Sequence, residues 1–469
     1  MICVGSAALL IPSMVVRAVV IMGWGILIFT YERYLGLPVP ASPGTMLWLG
    51  SMLSYVIGGL GTDLLYRYYG MNFIIGFRLD LGLRYLDSAL LYLGLGLGSY
   101  AFGLWLTGQI LGPVSRQREV VSDLKFGNVS ILLLGFLFIL PQVIKDFISS
   151  SAYNNLVIGA LQSIEIIPMI LFAFYLVRPH PRWWVGLLLL AAAMANSLSG
   201  ILIGYGRAKF LIALVTVASV WLGLVLYMGK RISWKARLLI ALLPLLIVLF
   251  FGFMTAYRQL QNYNRNTSLA ERLQIAQESS LQFAQSRNIF IQSIGPLINR
   301  LVELSSLELL GWVENGNVKL VGWTLEDTKQ VLLAWVPKVF FPEKGMGYGR
   351  DIMVYYGLSP SNDNRPVTLL ADAFRRFGLA GVLGIYFFMG IASTIVAHRL
   401  MPHWGEMGLI LVLYFGLLHL TIYSSEVLEV FKLYFYRLPS SALVIIIFLR
   451  ISGIWRPRRN QNEKHFMSS

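Results

Sequence analysis

Residues 379–396 read LAGVLGIYFFMGIASTIV, eighteen positions without Asp, Glu, Lys or Arg. A helix that is apolar on every face belongs in a large core or in lipid, and about 20 such residues cross the hydrocarbon layer of a membrane. Runs of the same kind lie near 1–16, 18–34, 45–60, 85–110, 131–147, 156–177, 183–205, 210–228, 238–257, 408–422 and 438–451. Composition agrees, because 57% of the 469 residues are hydrophobic and only 13% are charged, against about a quarter charged in a soluble domain. The fold class read from this is an all-α integral membrane protein of about 11–12 transmembrane helices. The run at 1–16 is the weakest, since it contains Pro12 and stops at Arg17. No basic residue precedes it, so a signal peptide is not expected.

The net charge of +15 sits in short loops rather than on one soluble face, so no nucleic-acid partner is expected. Lys and Arg in short loops favour the cytoplasm. Arg116, Arg118 and Lys125, then Arg178 and Arg182, then Lys230, Arg231, Lys235 and Arg237, then Arg399, and last Arg456, Arg458 and Arg459 all fall on one side if both termini are cytoplasmic. Arg67, Arg78 and Arg84 dissent, partly offset by Asp63 and Asp80. The chain then divides into N-terminal spans over 1–257, a large external loop over 258–376, C-terminal spans over 377–454 and a basic cytoplasmic tail over 455–469.

Local signals make that loop mostly helical. Ser268 with Glu271 reads as a capping box, and Thr324 with Asp327 opens a second helix through Val331, Leu332 and Trp335 that must end near Pro337. These helices have apolar faces to bury, so the loop is expected to pack as a lid on the mouth of the bundle. Asp87, Gln162, Glu165 and His419 lie in apolar runs and are expected to face the bundle interior, because lipid exposure is costly. The lone Cys3 excludes an intrachain disulfide framework and a multi-cysteine metal site.

Motifs of soluble catalysis are missing: no phosphate loop, no Gly-x-Ser-x-Gly elbow and no His-Glu-x-x-His helix. Chemistry on the external side has no nucleotide at hand, so a substrate there must carry its own activation, as a lipid-linked diphosphate sugar does. Arginine holds phosphate oxygens in a two-pronged fork. Arg207 and Lys209 stand at a span end, and Arg300, Lys338, Lys344, Arg350, Arg365, Arg375 and Arg376 lie along the loop. Each loop arginine also has a plainer reading as a surface charge paired with a carboxylate.

Three stretches resemble a known family. GYGRAKF at 204–210, WVPKVFFPEK at 335–344 and DAFRRFGLAG at 372–381 are similar in kind and order to the Gly-Arg, Pro-Lys-aromatic-Pro and acidic-aromatic-Gly-x-x-Gly elements of the Wzy-type O-antigen and exopolysaccharide repeat-unit polymerases. These belong to the O-antigen ligase and polymerase superfamily. Arg300 and Gly311 repeat a spacing seen in external loops of some members. The chain departs from the pattern at Lys338, where arginine is common, and at Gly345, where proline often follows the lysine.

The resemblance implies a GT-C-like, metal-independent glycosyltransferase without cofactor in the bacterial inner (plasma) membrane. It would join undecaprenyl-diphosphate-linked oligosaccharides by block transfer. A flippase and a chain-length regulator of the same pathway would be its partners. Under it, Asp372 and Arg300 are the catalytic candidates, with Glu343 and Asp363 behind Asp372 as proton acceptor. Arg207, Lys209, Lys338, Lys344, Arg350 and Arg365 bind substrate. Tyr348, Tyr355 and Tyr356 are candidates to stack on sugar faces. The alternatives are an O-antigen-type ligase, an exporter of lipid-linked oligosaccharide and a scaffold of an export assembly. The absence of histidine between His180 and His398 speaks against the ligase, and the long loop against the exporter.

Overall fold

A computed structural model describes residues 13–69, 83–114, 166–167, 169–177, 207–229, 303–336, 355–357 and 367–451, with single positions at 274, 277–278 and 298. Its elements are helical throughout, with no strand among the described residues. They are α1 (Met14–Tyr34), α2 (Pro43–Ser51), a π-helical stretch (Met52–Leu60) that runs on into α3 (Gly61–Tyr69), α4 (Leu86–Leu111), α5 (Arg207–Tyr227), α6 (Leu304–Glu314), α7 (Leu325–Leu332), α8 (Leu369–Ile422), α9 (Val427–Lys432), a second π-helical stretch (Leu433–Arg437) and α10 (Leu438–Ile451).

Among the described residues, four helices are long and apolar enough to cross a membrane: Met14–Tyr34, Leu86–Leu111, Leu369–Met401 and the joined run Val427–Ile451. Thr216–Tyr227 and Met407–Ile422 are shorter apolar helices. This is an all-α membrane protein. The expected spans at 131–147, 183–205 and 238–257 lie outside the described residues.

α8 is a hairpin. A straight helix of its 54 residues would be about 80 Å long, yet the Leu369 N–H donates to the Tyr423 carbonyl at 2.9 Å. Its first arm, Leu369–Met401, runs beside α4 at very short range. A Cβ on Gly103 would lie 2.6 Å from the Phe387 carbonyl oxygen, and one on Gly390 would lie 2.3 Å from that of Tyr100. Only glycine allows backbones to approach so closely, the packing device that joins helices in lipid, where apolar burial gives no drive between them. Leu93, Leu97 and Tyr100 of α4 and Val382, Tyr386 and Met389 of α8 fill the buried centre of this pair.

Two spans begin well before the apolar runs that announce them. The first arm of α8 starts at Leu369, where the Thr368 hydroxyl accepts from the Ala371 N–H, rather than near 379. The last span starts at Val427 rather than 438. In both cases charged residues are carried inside the helix in local pairs: Asp372 with Arg375 and Arg376, and Glu429 with Lys432 and Arg437.

Glu32, His419 and Asp87 also find partners within the bundle. The Glu32 carboxylate takes the hydroxyls of Ser42 (2.5 Å) and Thr45 (2.7 Å) and the N–H groups of Gly44 (2.8 Å) and Thr45 (2.9 Å), capping the N-terminus of α2 from a neighbouring segment. His419 faces the bundle interior, with Nδ1 2.9 Å from the Phe415 carbonyl and Nε2 3.0 Å from the Tyr434 hydroxyl. Asp87 pairs with the buried Arg17 at 2.6 Å. Gln162 and Glu165 lie outside the described residues.

Candidate functional site

The loop elements sit on one end of the bundle. α7 forms where the sequence signals it: the Thr324 hydroxyl accepts from the Asp327 N–H, the Asp327 carboxylate accepts from the Thr324 N–H, and a short 3₁₀ turn at Leu333–Trp335 follows. α6 is fixed to the same end by Tyr92 donating to Glu314 (2.9 Å), Asn315 donating to the Tyr85 hydroxyl (3.1 Å) and the Thr368 N–H donating to Ser306 (3.0 Å).

A buried charge cluster joins α7 to the bundle. Arg376 reaches Asp372 on its own helix through Nε (3.0 Å) and Asp327 on α7 through Nη1 (2.8 Å) and Nη2 (3.1 Å), with Trp323 under its guanidinium at 5.7 Å. Arg375 donates twice to Asp372 Oδ1, at 3.0 and 2.6 Å. The Val427 N–H donates to Asp372 Oδ2 at 2.9 Å. Gly378 makes this possible. Its φ of +62° is a left-handed conformation that costs glycine little. The Arg375 and Arg376 carbonyls just before it accept from Val321 (3.2 Å) and Gly322 (2.9 Å), so the segment leading to α7 is laced onto α8.

Electrostatics follow from these contacts. Burial pushes the Asp327 carboxyl up, but the Arg376 guanidinium and the Thr324 N–H and hydroxyl outweigh it and hold the group below the usual carboxylate range. Glu426, the residue just before the Val427–Ile451 span, behaves in the opposite way. Burial first, then the carboxylates of Asp372 and Glu429, push it up to about 8 against the opposing pull of Lys432 and Arg376. Its Oε2 is buried and has no hydrogen-bond partner among the described residues.

Beside the cluster an open cavity of about 760 Å³ is lined by Trp312, Asn317, Val318, Lys319, Leu320, Val321, Tyr355 and Tyr356. Tyr355 and Tyr356 meet edge to face at 5.1 Å, and Tyr355 is 82% exposed. Three aromatic rings with an amide and an ammonium group make a surface suited to a polar ligand with apolar faces. Its volume lies in the range of small-molecule sites.

The structure distributes the sequence candidates unevenly. Asp372 is fully buried, and both of its oxygens are engaged by arginines and a backbone N–H, so it holds the two guanidinium groups rather than presenting a free oxygen. Arg375 and Arg376, expected along the loop, are buried in ion pairs within a span. Arg207 opens α5 and Lys209 lies in its first turn, their side chains being outside the described set. Arg300, Lys338, Glu343, Lys344, Tyr348, Arg350, Asp363 and Arg365 lie outside the described residues. The sequence reading missed Glu426 and the cavity residues Trp312, Asn317 and Lys319. The turn over 315–317 follows from Asn-Gly-Asn, but nothing in Ser424-Ser425-Glu426 announces burial.

No protein-family model, curated protein or solved structure matches this chain.

Proposed function

We propose that this chain is a membrane polysaccharide polymerase, which moves a growing glycan from undecaprenyl diphosphate onto the next lipid-linked repeat unit at the outer face of the membrane. The observation that carries the reading is the open cavity lined by Trp312, Tyr355 and Tyr356, with Asn317 and Lys319 at its edge, on the end of the bundle where α6 and α7 dock. Pyranose rings present C–H faces to aromatic side chains and hydroxyls to amides and ammonium groups, so this lining suits a saccharide. The order of the three sequence elements supports the same reading.

In the reaction an acceptor hydroxyl attacks the anomeric carbon of the donor. The new C–O bond forms as the bond to the diphosphate breaks, and the lipid diphosphate departs. Arg207, Arg300 and Lys338 take the leaving diphosphate, with Lys209, Lys344, Arg350 and Arg365 in support, because fixed cations stabilise charge that develops in the transition state. A carboxylate accepts the hydroxyl proton. With Asp372 committed to Arg375 and Arg376, it is a positioning residue, and the acceptor role passes to Glu343 or Asp363.

The test is reconstitution of the full chain in lipid nanodiscs with the host's own undecaprenyl-diphosphate-linked repeat unit, read by product mass. A ladder spaced by one repeat is expected from the wild type and none from Arg207→Ala or Arg300→Ala at equal protein level. Unchanged substrate with folded wild-type protein overturns the reading, and full ladders from both variants remove these residues from the site.

A further inference from the structure

Where α7 meets the bundle, five ionisable side chains from three segments converge. Asp327 comes from α7, Asp372, Arg375 and Arg376 from α8, and Glu426 from the turn before α9. The two aspartates and two arginines neutralise one another through the bonds given above. Glu426 is the surplus group. It is 5% exposed, its Oε2 is without a partner among the described residues, and the N–H of its neighbour Val427 is bonded to Asp372. Ionised, it would be a third carboxylate against two arginines in a place with little water, which is costly.

Two cations act on Glu426: Lys432 is already paired with Glu429 on its own helix, and Arg376 has its Nη1 and Nη2 held by Asp327 while α7 is docked. If α7 lifts away, Asp327 leaves with it and Arg376 becomes available to a second anion. Protonated Glu426 therefore matches the docked loop and ionised Glu426 the released one. We propose that Glu426 is a proton-binding site that couples docking of the loop helix α7 to pH, with α7 held when Glu426 is protonated and released when it is ionised.

The charged groups facing Glu426 are Asp372 and Arg376 on α8, with Glu429 and Lys432 one and two turns along its own helix. The sign follows from linkage. The docked state keeps its proton up to about 8, while the released state loses it nearer the ordinary carboxylate value, so release gives up one proton between these limits. The release equilibrium then rises about tenfold per pH unit and levels off above the docked value. Neutral pH lies on that slope. The coupling does not depend on which reaction the cavity serves.

The experiment is a distance measurement between nitroxide labels in the full chain in nanodiscs. Lys329→Cys on α7 and Ile395→Cys on the first arm of α8, both exposed, are labelled in a Cys3→Ser background. A single distance of about 30 Å, set by the helical rise between the docked α7 and Ile395, is expected at pH 6 as the shorter of the two, with a longer population that grows toward pH 9. Glu426→Gln, which keeps the shape and cannot ionise, is expected to hold the short distance at every pH, and Asp327→Asn to show the longer one even at pH 6. A wild-type distribution that does not move between pH 6 and 9 overturns the proposal. So does a Glu426→Gln chain that keeps the full pH response.

Discussion

Arg376 is the residue on which most of the interface between loop and bundle depends, because one guanidinium serves two carboxylates on different segments. Removing one member of a buried ion pair leaves the others uncompensated, at a cost of about 3–5 kcal/mol. Arg376→Gln is therefore expected to lower the thermal unfolding midpoint sharply in detergent. Arg376→Lys should not restore it, since one ammonium lacks the planar fork that spans both carboxylates. A wild-type midpoint for the lysine variant would mean that charge alone holds the interface. Half of this cluster was legible in the sequence: Asp372 stands three and four residues before Arg375 and Arg376, a spacing that pairs side chains on a helix. Its other half was not, because Asp327 lies 49 residues from Arg376 and Glu426 sits among serines with no pattern that marks burial.

At the scale of elements, hydrophobic runs located the four described spans but misplaced two of their starts. Hydropathy counts each charge as if it stood alone in lipid, whereas Asp372 with its arginines, and Glu429 with Lys432 and Arg437, enter as ion-paired sets and extend the helices at Leu369 and Val427. The close pairing of α4 with α8 was equally hidden, since a glycine in an apolar run does not say which backbone it admits. It yields a paired test on α8. Gly390→Ala would push a methyl group to 2.3 Å from the Tyr100 carbonyl oxygen, while Gly384→Ala meets nothing within 4 Å. The first is expected to destabilise by about 1–3 kcal/mol, as overpacking does. The second should be neutral or gain up to about 1 kcal/mol from helix propensity. Equal unfolding midpoints for the two variants would show that α4 and α8 are not in backbone contact.

For the whole molecule, four spans begin at the end that carries α6 and α7. The Arg17–Asp87 pair joins the starts of α1 and α4, Tyr85 before α4 bonds Asn315 after α6, Ser306 of α6 accepts from Thr368 before α8, and Val427 bonds Asp372. Four helices that all start from one face require the segments between them to return the chain to it. The same geometry puts the far end of the Val427–Ile451 span, and Arg399 in the first arm of α8, at the opposite face, where the distribution of short-loop Lys and Arg expects the cytoplasm. Asn315 and Arg456 should then lie on opposite sides of the membrane. In a Cys3→Ser background, Asn315→Cys is expected to react with a membrane-impermeant maleimide added to spheroplasts, and Arg456→Cys only after the membrane is opened. Labelling of both from outside would break the arrangement of spans. Labelling of Arg456→Cys alone would keep the arrangement but turn it over, placing the aromatic cavity in the cytoplasm, where nucleotide-activated sugars are at hand and a lipid-linked donor is no longer required.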